Sequence, residues 1–162
     1  MGLDQYLSIR KYIQRVDWSK ANETERPETL EFRTVVRETG LSELVQEDGF
    51  AGAYVEVPAY YWRKANWLHH YIINNLANEV DNCQPIEISV GDMRDLVDRC
   101  GDVLAHKDKA SALLPTSDGF FFGSTEYDDW YFESVEDTFV EIGKLLDKVE
   151  EGEHYLVYQA SW

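Results

Sequence analysis

The sequence predicts an α+β fold, in which a mixed, mostly antiparallel sheet is covered on one face by about three helices. Alternating apolar and polar residues at both ends of the chain indicate strands, and segments with helical periodicity lie between them. A hydrophobic fraction of 44% and an aromatic fraction of 14% indicate a chain that buries a core. Because 162 residues is an ordinary size for one domain and no repeat or long linker interrupts them, residues 1–162 are expected to form a single domain.

The first third of the chain contains two segments that alternate like strands. Leu3–Ile13 is predicted to be a strand, and the polar segment Asp17–Glu28 is predicted to be an exposed loop. Leu30–Arg37 alternates again and predicts a second strand or a strand-like arm. Within Gly40–Asp48, a short helix is expected around Leu41–Gln46.

The middle of the chain contains the first two of the three main helices. Tyr54–Val57 reads as a short strand, after which Pro58 is predicted to open a helix that continues to about Asn78. Ser89 is a favourable N-cap for the next helix. The apolar stripe of that helix is expected to be Met93, Leu96, Val97, Cys100, Val103 and Leu104.

The last third is predicted to hold a strand, a helix and a strand. Gly119–Gly123 encloses three phenylalanines and is expected to be a short buried strand. A helix is predicted over Asp129–Glu150 and a closing strand over His154–Trp162. The positions expected to face inward from the helix are Val135, Phe139, Ile142, Leu146 and Val149.

The charge of the chain restricts its partners. Thirty-one acidic and fifteen basic residues give a net charge of −16, which disfavours direct binding to nucleic acids and to anionic membranes. No apolar run is long enough to span a membrane and no signal-peptide pattern opens the chain, so the cytoplasm is the expected compartment. Cys83 and Cys100 do not form a secreted disulfide framework. A homo-oligomer remains open.

The densest group of ligand-binding residue types lies in Tyr60–His70. On the predicted helix, aromatic rings would stand beside cations and imidazoles, a combination that stacks a base and pairs with phosphate. An amphipathic helix with a cationic polar side is the structural alternative. The ligand-binding candidates here are Trp62, Arg63, Lys64, Asn66, Trp67, His69 and His70.

The segment from Gly119 to Tyr131 is a second candidate region. Phe121 supplies a further ring for stacking and Ser124 a hydroxyl beside the glycine turn. A divalent-metal site at Asp128 and Asp129 is left open, with capping of the last helix as the structural alternative. Neither glycine-rich phosphate-binding pattern occurs, and no cofactor is expected.

An acidic ridge is predicted on the last helix. Residues 126–153 contain eleven acidic side chains and two lysines, a net charge of −9. Glu133, Asp137 and Glu141 repeat every four residues and form one face. Such a ridge can imitate a phosphate backbone and occupy a basic groove on a protein, while a solvated helix face is the structural alternative.

Several motifs taken together are similar to a family of small, largely uncharacterised bacteriophage and prophage proteins. They are the opening Met1-Gly2-Leu3-Asp4-x-Tyr6-Leu7, Tyr61-Trp62-Arg63-Lys64-Ala65-Asn66-x-x-His69, and Leu114-Pro115 leading into Gly119-Phe120-Phe121-Phe122-Gly123-Ser124-Thr125-Glu126-Tyr127. The resemblance runs to Ser161-Trp162 and brings no assigned reaction or catalytic residue. It implies a viral protein that acts on the host.

The function expected from these features is that of an accessory, anti-defence protein that binds and sequesters a small anionic, nucleotide-like ligand. The first alternative is an acidic inhibitor that imitates nucleic acid and binds a basic host defence protein. The second is a nucleotide hydrolase or a virion or assembly protein. No motif for a catalytic nucleophile or a zinc site occurs, so the balance is against an enzyme.

Overall fold

The strands of the computed structural model form one antiparallel, four-stranded sheet in the order β2-β1-β4-β3. The model describes residues 2–20, 22, 24–46 and 49–162. The strands are β1 (Asp4–Ile13), β2 (Ala53–Arg63), β3 (Ile86–Ile88) and β4 (His154–Ser161). The prediction of an α+β fold with a strand at each end of the chain is confirmed.

The helices are more numerous than the about three predicted. They are α1 (Leu30–Glu38), α2 (Asn66–Leu76), α3 (Val90–Ala105), α4 (Ala110–Leu113), α5 (Asp129–Asp137) and α6 (Gly143–Leu146). Two short 3₁₀ helices span Ser42–Leu44 and Lys107–Lys109, and a π-helical turn at Thr138–Ile142 joins α5 to α6. The short strand β3 and helix α4 were not predicted, because segments of three or four residues carry no readable periodicity.

The internal contacts divide the chain into two compact units, one containing the residues up to Ile9 together with Val57–Trp162 and the other Arg10–Glu56. The first unit holds the main hydrophobic core, which is built from β1, α2, α3, the last helices and β4. Its largest fully buried side chains are Trp67, Tyr158, Leu3, Leu7, Leu68, Ile72, Met93, Leu96, Leu114, Ile142, Leu146 and Leu156. The prediction that residues 1–162 form one domain stays a prediction.

Helix α3 follows its sequence prediction. The Ser89 hydroxyl accepts a hydrogen bond from the Asp92 backbone N–H at 3.0 Å, which caps the first turn. The predicted stripe is buried except for Leu104, which is partly exposed and packs against the core. Burial raises the pKa of the Cys100 thiol to about 12, so this cysteine is a buried apolar residue.

The strand predicted at Leu30–Arg37 is wrong, because this segment is helix α1. The Thr29 hydroxyl caps the helix by accepting from the Phe32 backbone N–H at 3.1 Å. Phe32 and Val36 are four residues apart, so the same apolar residues that alternate also lie on one helical face. The short helix expected around Leu41–Gln46 is reduced to the 3₁₀ turn.

Five residues lie outside the described part of the chain and fall on sequence predictions. Met1 belongs to the opening motif of the resemblance. Ala21 and Glu23 belong to the predicted loop, and Glu47 and Asp48 to the segment of the predicted short helix.

The helix predicted over Pro58–Asn78 is also wrong in its first part. Strand β2 continues through Arg63, and helix α2 begins only at Asn66. Pro58 is compatible with this strand because β2 lies at the edge of the sheet, where a missing N–H is tolerated. Lys64 has a φ of +56°, a left-handed conformation that ends the strand and reverses the chain into the helix.

The Phe-rich segment is a turn and not the predicted buried strand. Phe121 has a φ of +65° and Gly123 a φ of +98°, which are incompatible with a strand. The Phe120 side chain is 83% exposed, and only Phe122 of the three is buried.

The last predicted helix is present from Asp129 to Leu146 and ends one turn before Glu150. Val135, Ile142 and Leu146 face inward as predicted, and Val149 is partly buried against the core. Phe139 is 40% exposed, which corrects its assignment to the core. It follows the start of the π-helical turn, which rotates the following residues relative to a regular α-helix.

Candidate functional site

The residues of the predicted ligand-binding helix are distributed over strand β2, the turn at Lys64 with its left-handed backbone conformation, and helix α2. A buried glutamine fixes this change of direction. Gln5 Nε2 donates to the Ala65 carbonyl at 3.0 Å, and the Ala65 N–H donates to Gln5 Oε1 at 3.0 Å. Trp62, Arg63, Asn66 and His70 therefore do not share the helical surface that the sequence suggested.

Asn66 joins helix α2 to the Phe-rich turn. Its buried amide nitrogen donates to the carbonyls of Phe122, at 3.3 Å, and Ser124, at 2.9 Å. The Ser124 hydroxyl accepts from the Glu126 backbone N–H at 3.1 Å. Two predicted site residues are thus joined, because the Asn66 side chain is bonded to the Ser124 backbone. This contact connects the turn to α2.

His69 lies at the centre of a directional chain of buried hydrogen bonds. Gln5 Nε2 also donates to the Tyr158 hydroxyl oxygen at 3.2 Å, and His69 Nδ1 lies 2.9 Å from the same oxygen. The Asp81 carboxylate can only accept, so His69 Nε2 carries a proton and donates to Asp81 Oδ2 at 3.0 Å. In the neutral imidazole Nδ1 is then the acceptor, and the Tyr158 O–H is directed to it. Burial raises the pKa of Tyr158, which keeps it a neutral donor.

Both predicted stacking tryptophans are buried and hydrogen-bonded to the last helix. Trp62 Nε1 donates to Thr138 Oγ1 at 2.9 Å, and Trp67 Nε1 donates to Ser134 Oγ at 3.2 Å. Their exposed fractions are 4% and 2%, so neither ring presents a free face to a base. These side chains hold β2 and α2 against α5.

The predicted residues that reach the surface lie in separate places. Arg63 is exposed on β2, and Lys64 is half-buried beside it. His70 lies over Asn74, whose Nδ2 is 3.0 Å from His70 Nδ1. Phe121 packs against Phe120 with ring centroids 4.2 Å apart, at the tip of the turn.

A groove combines residues from both predicted sites. Strand β2 contributes Arg63 and three neighbouring aromatic residues, and helix α5 contributes part of the acidic ridge. The lining residues are Tyr60, Tyr61, Trp62, Arg63, Trp130, Glu133, Ser134 and Asp137, around a volume of about 190 Å³. Tyr61 is 46% exposed and Trp130 60% exposed, so their rings stand at the rim.

The described lining of this groove has a negative net charge. Arg63 is the one cationic side chain among these described residues, against the carboxylates of Glu133 and Asp137. The pKa of Tyr60 is raised by burial first and then by the charges of Asp137 and Glu141. Glu141 also forms an ion pair with Lys144 at 2.7 Å on the surface. The acidic ridge therefore faces the aromatic residues of β2.

The chemistry of this groove suits a cation. Aromatic faces attract cations through their quadrupoles, and carboxylates beside them add a direct charge attraction. A phosphate in this groove would lie near the two carboxylates of Glu133 and Asp137 and the single guanidinium of Arg63, so it would be repelled.

Trp130 and Tyr61 were not assigned to a site from the sequence. The signal for Trp130 was present, because Trp130, Glu133 and Asp137 are spaced by three and four residues and share one face of the predicted helix. Tyr61 was missed because its segment was predicted to be a helix, whereas it belongs to strand β2. Asp128 caps α5, with its carboxylate accepting from the Tyr131 N–H at 3.0 Å. Among the described residues, no three His, Cys, Asp or Glu side chains are grouped as metal ligands.

Comparison of the chain with protein-family models, curated proteins and solved structures finds no match. None of the helices in the described part of the chain is both long enough and apolar enough to cross a bilayer.

Proposed function

We propose that this chain is a non-enzymatic accessory protein that binds a basic protein partner through the groove between β2 and α5. The observation that supports this proposal is the meeting of exposed aromatic rings with the acidic ridge in one groove. The partner inserts an arginine or lysine side chain between Tyr61 and Trp130, and its charge faces Glu133 and Asp137.

The energetics favour this kind of partner over a small anion. A cation over an aromatic face contributes roughly 0.5–1 kcal/mol at an exposed site and more when water is excluded. Tryptophan, tyrosine and arginine are the residues most enriched among those that dominate binding energy at interfaces. The net charge of −16 adds attraction at longer range and speeds association with a basic surface.

The resemblance to bacteriophage and prophage proteins supports a partner in the host cell, such as a basic protein that otherwise binds nucleic acid. Sequestration of a nucleotide-like ligand at Tyr60–His70 stays a prediction. This ligand site is less favoured because four of its candidate side chains already form hydrogen bonds inside the protein. They are Trp62, Asn66, Trp67 and His69.

The test measures binding of a fluorescent arginine-rich peptide to the wild type and to two charge-reversed variants. The first, the groove variant, reverses to lysine Glu133 and Asp137, which line the groove, together with Glu141, the next residue of the acidic ridge. The matched control reverses Asp147, Glu150 and Glu151, which lie in the same acidic segment outside the groove and change the net charge equally. We expect the groove variant to lose binding and the control to retain most of it.

Trp130→Ala provides a second test that leaves the net charge unchanged. We expect the peptide affinity to fall roughly 10-fold or more, because Trp130 forms one wall of the groove. Circular dichroism checks that each variant is folded. Equal loss in the groove and control reversals, with no effect of Trp130→Ala, would show that only the overall charge attracts the peptide and would contradict the proposal.

A further inference from the structure

The described residues that line a cavity in the unit Arg10–Glu56 have a net charge opposite to that of the chain as a whole. Its volume is about 460 Å³, and the described residues that line it are Arg15, Glu28, Phe32, Arg33, Val36, Arg37, Ser42 and Val45. Three guanidiniums against one carboxylate give this lining a net charge of +2. The whole chain carries −16, so a concave basic surface stands out against its composition.

One residue of the cavity lining, Arg15, is fixed by several contacts. The Arg15 side chain is buried, and its Nε donates to Glu28 Oε1 at 2.8 Å. Its guanidinium carbon lies 5.3 Å from the centroid of the buried Phe32 ring. This arginine is held by its neighbours, and its guanidinium belongs to the cavity lining as an ion pair with Glu28.

The wall of the cavity carries two arginines one helical turn apart. Arg33 and Arg37 are four residues apart on α1, so their side chains lie on one face of the helix. Arg37 pairs with the adjacent Glu38 at 2.8 Å, where both side chains are about 70% exposed, an arrangement that contributes little. The Arg33 side chain has no hydrogen bond or ion pair with any other described residue.

Two like charges at this spacing repel each other by a few tenths of a kcal/mol unless an anion lies between them. Guanidinium groups present paired N–H donors that match the oxygens of a phosphate. Ser42 adds a hydroxyl to the same cavity, and Val36 and Val45 add apolar wall. The volume falls within the range of small-molecule sites.

We propose that this cavity binds a small phosphate-bearing molecule, with the phosphate held between Arg33 and Arg37 above the charge of Arg15. This site is independent of the groove between β2 and α5. It also assigns anion binding to the arginines of α1 and not to the Arg63 and Lys64 that the sequence suggested.

The experiment is isothermal titration calorimetry of the whole protein with pyrophosphate and with AMP, at an ionic strength that screens the overall negative charge. The test variant carries Arg33→Gln and Arg37→Gln. The matched control carries Arg63→Gln and Lys64→Gln, which remove the same charge from the site suggested by the sequence.

We expect the wild type to bind at least one probe and the Arg33/Arg37 variant to bind it roughly 100-fold more weakly, a factor of ten for each arginine. The Arg63/Lys64 control should bind within about twofold of the wild type. AMP binding more tightly than pyrophosphate supports contact of the nucleoside with the apolar wall. Arg33→Lys with Arg37→Lys should recover only part of the affinity, because lysine keeps the charge and loses the paired donors.

The proposal is overturned if neither probe binds the wild type, if the Arg33/Arg37 variant binds as well as the wild type, or if the Arg63/Lys64 control loses as much affinity. Loss in the control alone would return the anion site to β2. Because none of these outcomes involves the basic peptide, the result is separate from that for the groove.

Discussion

Asp81 Oδ2 lies 3.0 Å from Nε2 of the buried His69, so a carboxylate from the loop before β3 completes the hydrogen bonding of helix α2. The other Asp81 oxygen accepts from Trp162 Nε1 at 3.3 Å. The same loop contains three non-glycine residues with positive φ: Asn78, Glu79 and Cys83. Such backbone conformations cost free energy and persist only where surrounding contacts hold them. The two hydrogen bonds of the Asp81 carboxylate are contacts of this kind.

We predict that Asp81→Ala destabilises the protein by about 1–3 kcal/mol, because it leaves the buried His69 N–H without an acceptor. Urea unfolding measures the change. Asp147→Ala is the control, since Asp147 is exposed, and it should change the free energy of unfolding by about 0.5 kcal/mol or less. Equal stability of the two variants would show that the His69–Asp81 contact is not maintained in solution.

Tyr158→Phe should cost about 1–3 kcal/mol, because one hydroxyl serves both Gln5 and His69 in the core. The matched control is Tyr6→Phe, which changes the same group on an exposed ring. Thermal and urea unfolding of the two variants give the comparison. If both substitutions had the same small effect, the hydrogen bonds that link Gln5, Tyr158 and His69 would contribute nothing to the free energy of unfolding.

Stability should fall as the pH rises above about 9. The Cys100 thiol has a pKa of about 12 in the folded chain because of burial, against 9.0 for an ordinary cysteine, and burial also raises the pKa values of Tyr131 and Tyr158. Between these values the folded chain binds more protons than the unfolded chain, so the free energy of unfolding decreases with pH.

Thermal unfolding at pH 8, 9.5 and 10.5 tests this pH dependence. Tyr158→Phe removes one of the three groups, so its melting temperature should decline less steeply with pH than that of the wild type. A melting temperature that stayed constant or rose over this range would contradict the burial of these groups.

The two cysteines should react with a thiol reagent at very different rates. Cys100 is fully buried with a raised pKa, whereas Cys83 lies partly exposed in the strained loop. We expect one thiol to be titrated in the native protein and two after unfolding in guanidinium. Cys83→Ser should abolish the native reaction. Rapid native labelling of that variant would mean that Cys100 becomes accessible.

Two glycine-to-alanine substitutions should have opposite effects. Gly123 has a φ of +98°, and an added Cβ would lie 3.1 Å from Lys64 Cβ, so Gly123→Ala should destabilise by about 1 kcal/mol or more. Gly91 lies in α3 with no atom nearer than 3.7 Å to an added Cβ. Gly91→Ala should stabilise by up to about 1 kcal/mol. Urea unfolding curves of the two variants decide, and a neutral Gly123→Ala would contradict the turn geometry.

Helices and strands were predicted correctly from the sequence where one physical signal dominated a segment. Helix α3 was predicted because its Ser89 cap and apolar stripe agree, and β1 and β4 because each alternates over most of its length. The prediction failed at Pro58–Asn78, because the apolar stripe at three- and four-residue spacing from Tyr61 to Leu76 begins inside strand β2. The strand is paired with β1 in the sheet, and the Ala65 backbone that follows it is bonded to Gln5, sixty residues away.

The candidate site shows the same division. Three features were readable from the residues alone: the negative charge, the acidic face of Glu133 and Asp137, and the aromatic run at Tyr60–Trp62. The fold was needed to show that the acidic face and the aromatic run line one groove, that His69 and Trp67 are buried in the core, and that Arg33 and Arg37 line a cavity. The reason is that charge and periodicity are local properties of the chain, whereas burial and neighbourhood depend on contacts between residues far apart in the sequence.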